Sequence, residues 1–159
     1  MPNRHDIHVL NDLIGATLDS AERLEKVSGD SDSAGHVSLF ASLADERRQM
    51  AQTLAEAVRA LGGQPHESGS ILAKAQRAMM DMKHAIMPDE AGVVGSADQG
   101  EAALDRRFEA AIKDERLSAT TRETLRRTHA VIHRETHDVH DLHTSLDSQR
   151  DLGSGLYPQ

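Results

Sequence analysis

Three glutamates and one run of histidines are the residues of this chain whose types and spacing could carry chemistry. Glu46 follows Leu43 by three residues and precedes Met50 by four. Glu101 precedes Leu104 by three and Phe108 by seven, and Glu135 follows Ile132 by three and precedes Val139 by four. At helical periodicity each therefore lies in the middle of an apolar stripe. Ionised carboxylates brought together inside a protein repel one another and lose hydration, so a metal ion or basic partners must accompany them. Carboxylates and imidazoles on facing helices are the recipe for di-iron or di-manganese sites, with Glu on two helices and Glu-x-x-His on two others. The recipe is incomplete, because Glu46 is followed three residues later by Gln49 and Glu135 by Asp138. Arginines able to take the place of a metal are at hand in Arg47, Arg48, Arg106 and Arg134.

The second group is the stretch "HAVIHRETHDVHDLH", residues 129–143, which holds five of the ten histidines. His129, His133, His137, His140 and His143 step by four, four, three and three, so they share one broad helical face. That face is rotated from the apolar stripe, with His129 and His143 bordering the core and His137 turned outward. Imidazoles at i,i+4 have the reach to chelate zinc, copper or nickel through neutral nitrogens. The same residues also make a solvated face that gains charge below about pH 6.5.

Four long helices position these groups. Apolar residues recur at three- and four-residue steps, and no strand-like alternation is sustained. The first helix runs from about Asp6 to Val27. The second begins near Ala34 and stops at "GGQP", residues 62–65, a Gly-then-Pro terminator. The third carries Leu104, Phe108 and Ile112; "PDE" at 88–90 and "SADQ" at 96–99 compete as its start, and Gly92, Gly95 and Gly100 weaken the earlier one. The fourth opens in "SATTRE", where Thr120 and Glu123 suit a capping box, and runs to Leu146. Between the second and third, the Met-rich "SILAKAQRAMMDMKHAIM" forms a short extra helix whose methionines fill an irregular contact. The expected fold is all-α, a four-helix bundle over residues 1–147 with that helix in a long crossover, followed by a flexible tail, residues 148–159. Counted from the turn near residues 118–120, Glu101 and Glu135 stand level on an antiparallel pair, and Glu46 lies near mid-bundle. The first helix offers only about Thr17 at that level, since Glu22 and Glu25 sit one to two turns away.

Composition narrows the function classes. With 26 acidic against 18 basic side chains, a net charge of −8 and no basic block, nucleic acid and anionic membranes are not expected partners. Zero cysteines leave only nitrogen and oxygen ligands for a metal. Three aromatic residues, Phe40, Phe108 and Tyr157, are too few for a nucleotide, flavin or haem platform. No apolar run approaches the ~20 residues that span a bilayer, which makes a cytoplasmic protein the expectation, either a homodimer or a higher homo-oligomer.

The segments "LNDLI" (10–14), "LADERRQMAQTLAEAVRALGGQPHESGS" (43–70), "AMMDMK" (78–83), "GEAAL" (100–104) and "HD" (137–138) resemble, in order, an uncharacterised family of small bacterial ferritin-like four-helix-bundle proteins. The resemblance implies a ferritin-like bundle with a crossover helix and supplies no catalytic residues. Glu46, Glu101, His137 and Asp138 fall on its recurring pattern, whereas Glu135 and most of the histidine stripe are peculiar to this chain. Where the family often has an aromatic, this chain has Leu24, Met79 and Phe108. The candidate ligands are thus Glu46, Glu101, Glu135, His129, His133, His137 and Asp138, for iron first and manganese or zinc as alternatives. The rival expectation is a helical protein without metal, its inward carboxylates neutralised by arginines, acting through dimerisation or partner binding.

Overall fold

A computed structural model describes residues 2–66 and 89–155. Four helices account for nearly all of them: α1 (Pro2–Asp30), α2 (Ala34–Ala60), α3 (Glu90–Ile112) and α4 (Ala119–Gly155). The Met-rich helix expected in the crossover lies outside the described residues.

Capping sets the boundaries. The Ser33 side chain accepts the His36 N–H and opens α2. Leu61 closes it and Gly62 follows with φ 84°, the left-handed conformation in which glycine carries no Cβ penalty. Asp89 caps α3 by accepting the Gly92 N–H at 2.9 Å, so the earlier of the two competing starts is the real one. Three glycines inside α3 do not prevent this, because tertiary packing outweighs their weak helix propensity. Helix α4 is capped by Ser118, whose Oγ accepts the Thr121 N–H, rather than by Thr120. It also continues past residue 147 to Gly155, where Arg150 donates to Asp147 and, across to the start of α3, to Asp89.

Contacts at the two ends fix the topology. At one end the start of α1 meets the end of α3 through His5 and Asp114 (2.6 Å), and the start of α4 through Asp6 and Ser118 (2.6 Å). Asn11 ties the loop after α2 to the same end, donating to the Gln64 carbonyl and accepting from the His66 N–H. At the other end His36, early in α2, meets Glu90, the first residue of α3, at 2.7 Å. Helices α2 and α3 therefore run parallel, antiparallel to α1 and α4, with the end of α2 and the start of α3 at opposite ends of the bundle. A single long crossover is the connection of ferritin-like bundles; all-antiparallel bundles use short loops.

The core comes in two apolar clusters stacked along the axis. One contains Leu10, Ile14, Leu54, Phe108, Leu125 and Ile132. The other contains Leu24, Phe40, Leu43, Val94, Ala97 and Val139. Thr17, Ser20, Arg47 and Glu101, each fully buried, lie between them in a polar layer. Among the described residues no helix is long and apolar enough to cross a membrane.

Candidate metal centre

Helical periodicity turns Glu101 and Glu135 into the polar layer, and the residue they meet there is Arg47. Its side chain and that of Glu101 have no exposed surface. The Arg47 Nη2 and Nε donate to Glu101 Oε2 at 2.6 and 3.1 Å, and Nη1 donates to Glu135 Oε1 at 3.0 Å. Ser20, not Thr17, is the contribution of α1 to this chemistry, donating its hydroxyl to Glu101 Oε1. Thr17 turns back to the Leu13 carbonyl on its own helix. Burial works against the charge on Arg47, and its two carboxylates outweigh burial, leaving it firmly cationic. Of the other arginines, Arg48 pairs outward with Glu25 and Asp45, and Arg106 and Arg134 are exposed.

Glu46 completes the layer against Glu135. Burial, and then the Glu46 carboxyl in hydrogen-bonding contact with it, push Glu135 up to about 7 against the pull of Arg47. Two carboxyl groups in contact cannot both ionise cheaply, so this pair holds a proton near neutrality. Glu46 also leaves Oε2 buried without a partner among the described residues. The groups facing Glu135 are thus Arg47 and Glu46 from α2, with Glu101 on α3 sharing the arginine.

A pH dependence follows. The folded protein holds the Glu135 proton up to about 7, whereas the unfolded chain releases it near 4.5. The folded state therefore binds more protons across this window. The stabilisation is complete below pH 4.5 and is lost as pH rises through 7. Urea unfolding in the presence of a chelator is expected to show stability falling by roughly 2 kcal/mol between pH 5 and pH 8. Glu135→Gln should flatten that slope; an unchanged slope in the variant would assign the proton elsewhere. Asp98, whose pKa is lowered, acts only in more acidic solution, and because imidazoles also titrate in this window the contribution of Glu135 is read as the difference between the two proteins.

The histidines lie on a different surface, the groove between α3 and α4. The His129 Nε2 is 2.8 Å from Asp105 Oδ1, and His133 Nδ1 is 3.1 Å from both oxygens of the same carboxylate. The two rings pack with centroids 5.4 Å apart. Glu109, one turn beyond Asp105, brings its Oε1 to 3.9 Å from His129 Nε2. One donor atom from each of Asp105, Glu109, His129 and His133 lies within 4.8 Å of all the others, and no further group of this kind occurs among the described residues. Asp105 and His129 are mostly covered and fix the inner half of the group, while Glu109 and His133 are accessible. Two imidazoles and two carboxylates are the donor set that divalent iron, manganese or zinc accepts, so the residues present fit such an ion.

The expected ligands are thus distributed over three places. Glu46, Glu101 and Glu135 converge on Arg47, and His129 and His133 converge on Asp105. His137 and Asp138 are exposed, and His137 reaches only Asp141 on its own helix at 3.5 Å. Sequence reasoning missed Asp105 and Glu109. The available signal was their i,i+4 spacing on α3, opposite the matching i,i+4 pair of histidines in the antiparallel register already read for Glu101 and Glu135.

A family model described as a domain of unknown function (DUF2383) matches residues 5–114. The chain belongs to that family. The DUF2383 match spans α1 to α3 and includes Asp105 and Glu109, and it ends before α4, which supplies His129 and His133. Among solved structures, a mutant of Dps1 from Mycobacterium smegmatis is similar, with a TM-score of 0.69 at 14% identity over 88% of this chain and 95% of that one. This DUF2383 protein is accordingly an all-α, ferritin-like four-helix bundle. No curated protein matches the chain.

Proposed function

We propose that this protein is a metal-handling ferritin-like bundle that binds a divalent transition metal, iron first and manganese or zinc as alternatives, in the groove between α3 and α4. The observation that carries this reading is the convergence of Asp105, Glu109, His129 and His133 to within 4.8 Å. Asp105 orients both imidazoles, and the accessible His133 and Glu109 close the site from the solvent side. Iron bound by two imidazoles and carboxylates supplies one-electron chemistry. The chain contributes a fixed carboxylate and a route to solvent. In this reading the inward Glu46, Glu101 and Glu135 form a structural layer whose cation is Arg47, and His137 and Asp138 are not ligands.

Protein prepared without a histidine tag, stripped by a chelator and titrated anaerobically with Fe(II), Mn(II) or Zn(II), tests the proposal. Binding at micromolar levels is expected, weakened more than about tenfold by Asp105→Asn or His133→Ala and unaffected by Glu46→Gln. Binding that survives Asp105→Asn but disappears with Glu46→Gln would move the metal inside the bundle. No binding at micromolar levels would leave the second reading, a helical interaction protein without metal acting through dimerisation or partner binding. The arginine-neutralised glutamates favour that reading.

A further inference from the structure

One heptad before Asp105 on α3, Asp98 repeats the arrangement. The His143 Nδ1 lies 2.7 Å from Asp98 Oδ2, and His140 Nδ1 lies 3.0 and 3.2 Å from the two oxygens. His143 reaches onward with Nε2 to Asp147, one turn along α4, at 3.2 Å. Asp98 is mostly covered, as Asp105 is. Burial works to raise its pKa, and the contacts with His143 and His140 more than offset this, so Asp98 is ionised at neutral pH. The helix is shaped to admit the ring: a Cβ on Gly95 would fall 2.8 Å from His143 Nε2.

We propose that Asp98, His140 and His143, with Asp147 behind His143, form a second divalent-metal station in the same groove, for ions that accept imidazole nitrogen and carboxylate oxygen. The inference rests on the metal reading of the groove but uses none of the residues of the first station. Its donors do not come within the 4.8 Å that unites those around Asp105, so His140, 61% exposed, has to swing from its side of Asp98 towards His143 for the three to share an ion. The second station is therefore the weaker of the two. Between them, His137 and Asp141 line the exposed side of α4.

The test is a Zn(II) titration of the stripped, untagged full chain, with circular dichroism as the folding control. Two ions per chain are expected, the second bound about tenfold more weakly than the first. Asp98→Asn and His143→Gln should each reduce the stoichiometry to one and leave the tighter site unchanged. Gly95→Ala supplies an independent arm: alanine suits a helix interior better than glycine, but its Cβ displaces His143, so the weak site should vanish from a protein that remains helical. One ion per chain in the unaltered protein, lost with Asp105→Asn and indifferent to Asp98→Asn, would overturn the proposal. So would a second ion indifferent to Asp98→Asn, which marks adventitious binding by surface imidazoles. The two metal readings fail separately: loss of the site sensitive to Asp105→Asn, with the one sensitive to Asp98→Asn intact, defeats only the first.

Discussion

Arg47→Met is expected to destabilise the bundle by about 3–5 kcal/mol, because it leaves the Glu101 carboxylate buried without a counter-charge. For a chain of this length that loss lowers the melting temperature by about 10 °C or more. The methionine fills most of the arginine volume, so the cost is electrostatic. Glu101 keeps the Ser20 hydroxyl, and Glu135 and Glu46 keep one another, but the three hydrogen bonds that Arg47 donates to carboxylates disappear together. Replacing both members of a buried ion pair with apolar groups is often neutral. Arg47→Met with Glu101→Leu should therefore recover most of the loss. Thermal and urea unfolding of the single and double variants measure this. A single variant that loses less than about 1 kcal/mol would show that water reaches the layer and screens the charge.

Asp6→Ala should cost about 3 kcal/mol, the second largest effect expected of a single substitution. Asp6 is 1% exposed although it sits on the first turns of α1. Its Oδ2 accepts the Ser118 hydroxyl at 2.6 Å and the Thr121 hydroxyl at 2.8 Å, and both oxygens lie 3.3 Å from the Ser118 N–H. One carboxylate thus orders the cap of another helix and ties the starts of α1 and α4 together at one end of the bundle. Alanine removes the shared acceptor from the buried Thr121 hydroxyl and the partly buried Ser118 N–H and hydroxyl, whereas Asp6→Asn preserves an acceptor and should recover more than half the stability. Hydrogen exchange in the first turn of α4 distinguishes this from a general loosening. Protection there should fall further than in α2.

The helices and the inward faces were legible from the sequence because both depend on periodicity. Glu46, Glu101 and Glu135 fall into their stripes at 3.6 residues per turn, and counting from the turn near Ser118 set Glu101 level with Glu135. What accompanies them was less legible. The buried face of α2 runs through Phe40, Leu43, Ala44, Arg47, Ala51, Leu54 and Val58, with Arg47 at its centre and Glu46 and Met50 at its border. A stripe read through Leu43, Glu46 and Met50 is turned away from that centre, because the small Ala44 and Ala51 mark the face less strongly than leucine does. A border position also hid the groove clusters. Asp98 and Asp105 each directly follow an inward residue, Ala97 and Leu104, and so lie on the border of the stripe, where sequence alone does not decide between solvent and a neighbouring helix. Asp6 was placed at the start of its own helix, while its function is to cap a helix more than a hundred residues away.

The polar layer between the two apolar clusters has a consequence for the life of the protein in a cell where metal supply varies. In bundles whose inward carboxylates are balanced by bound ions, an empty site leaves like charges facing one another. Here the balancing cation is covalently part of the chain and is delivered with every newly made copy. On the proposed metal reading, an ion leaving the α3–α4 groove departs from side chains at the surface without disturbing the charge balance of the interior. A protein built this way would load and unload as one folded species, with bound metal adding only the stabilisation that any ligand of the folded state gives.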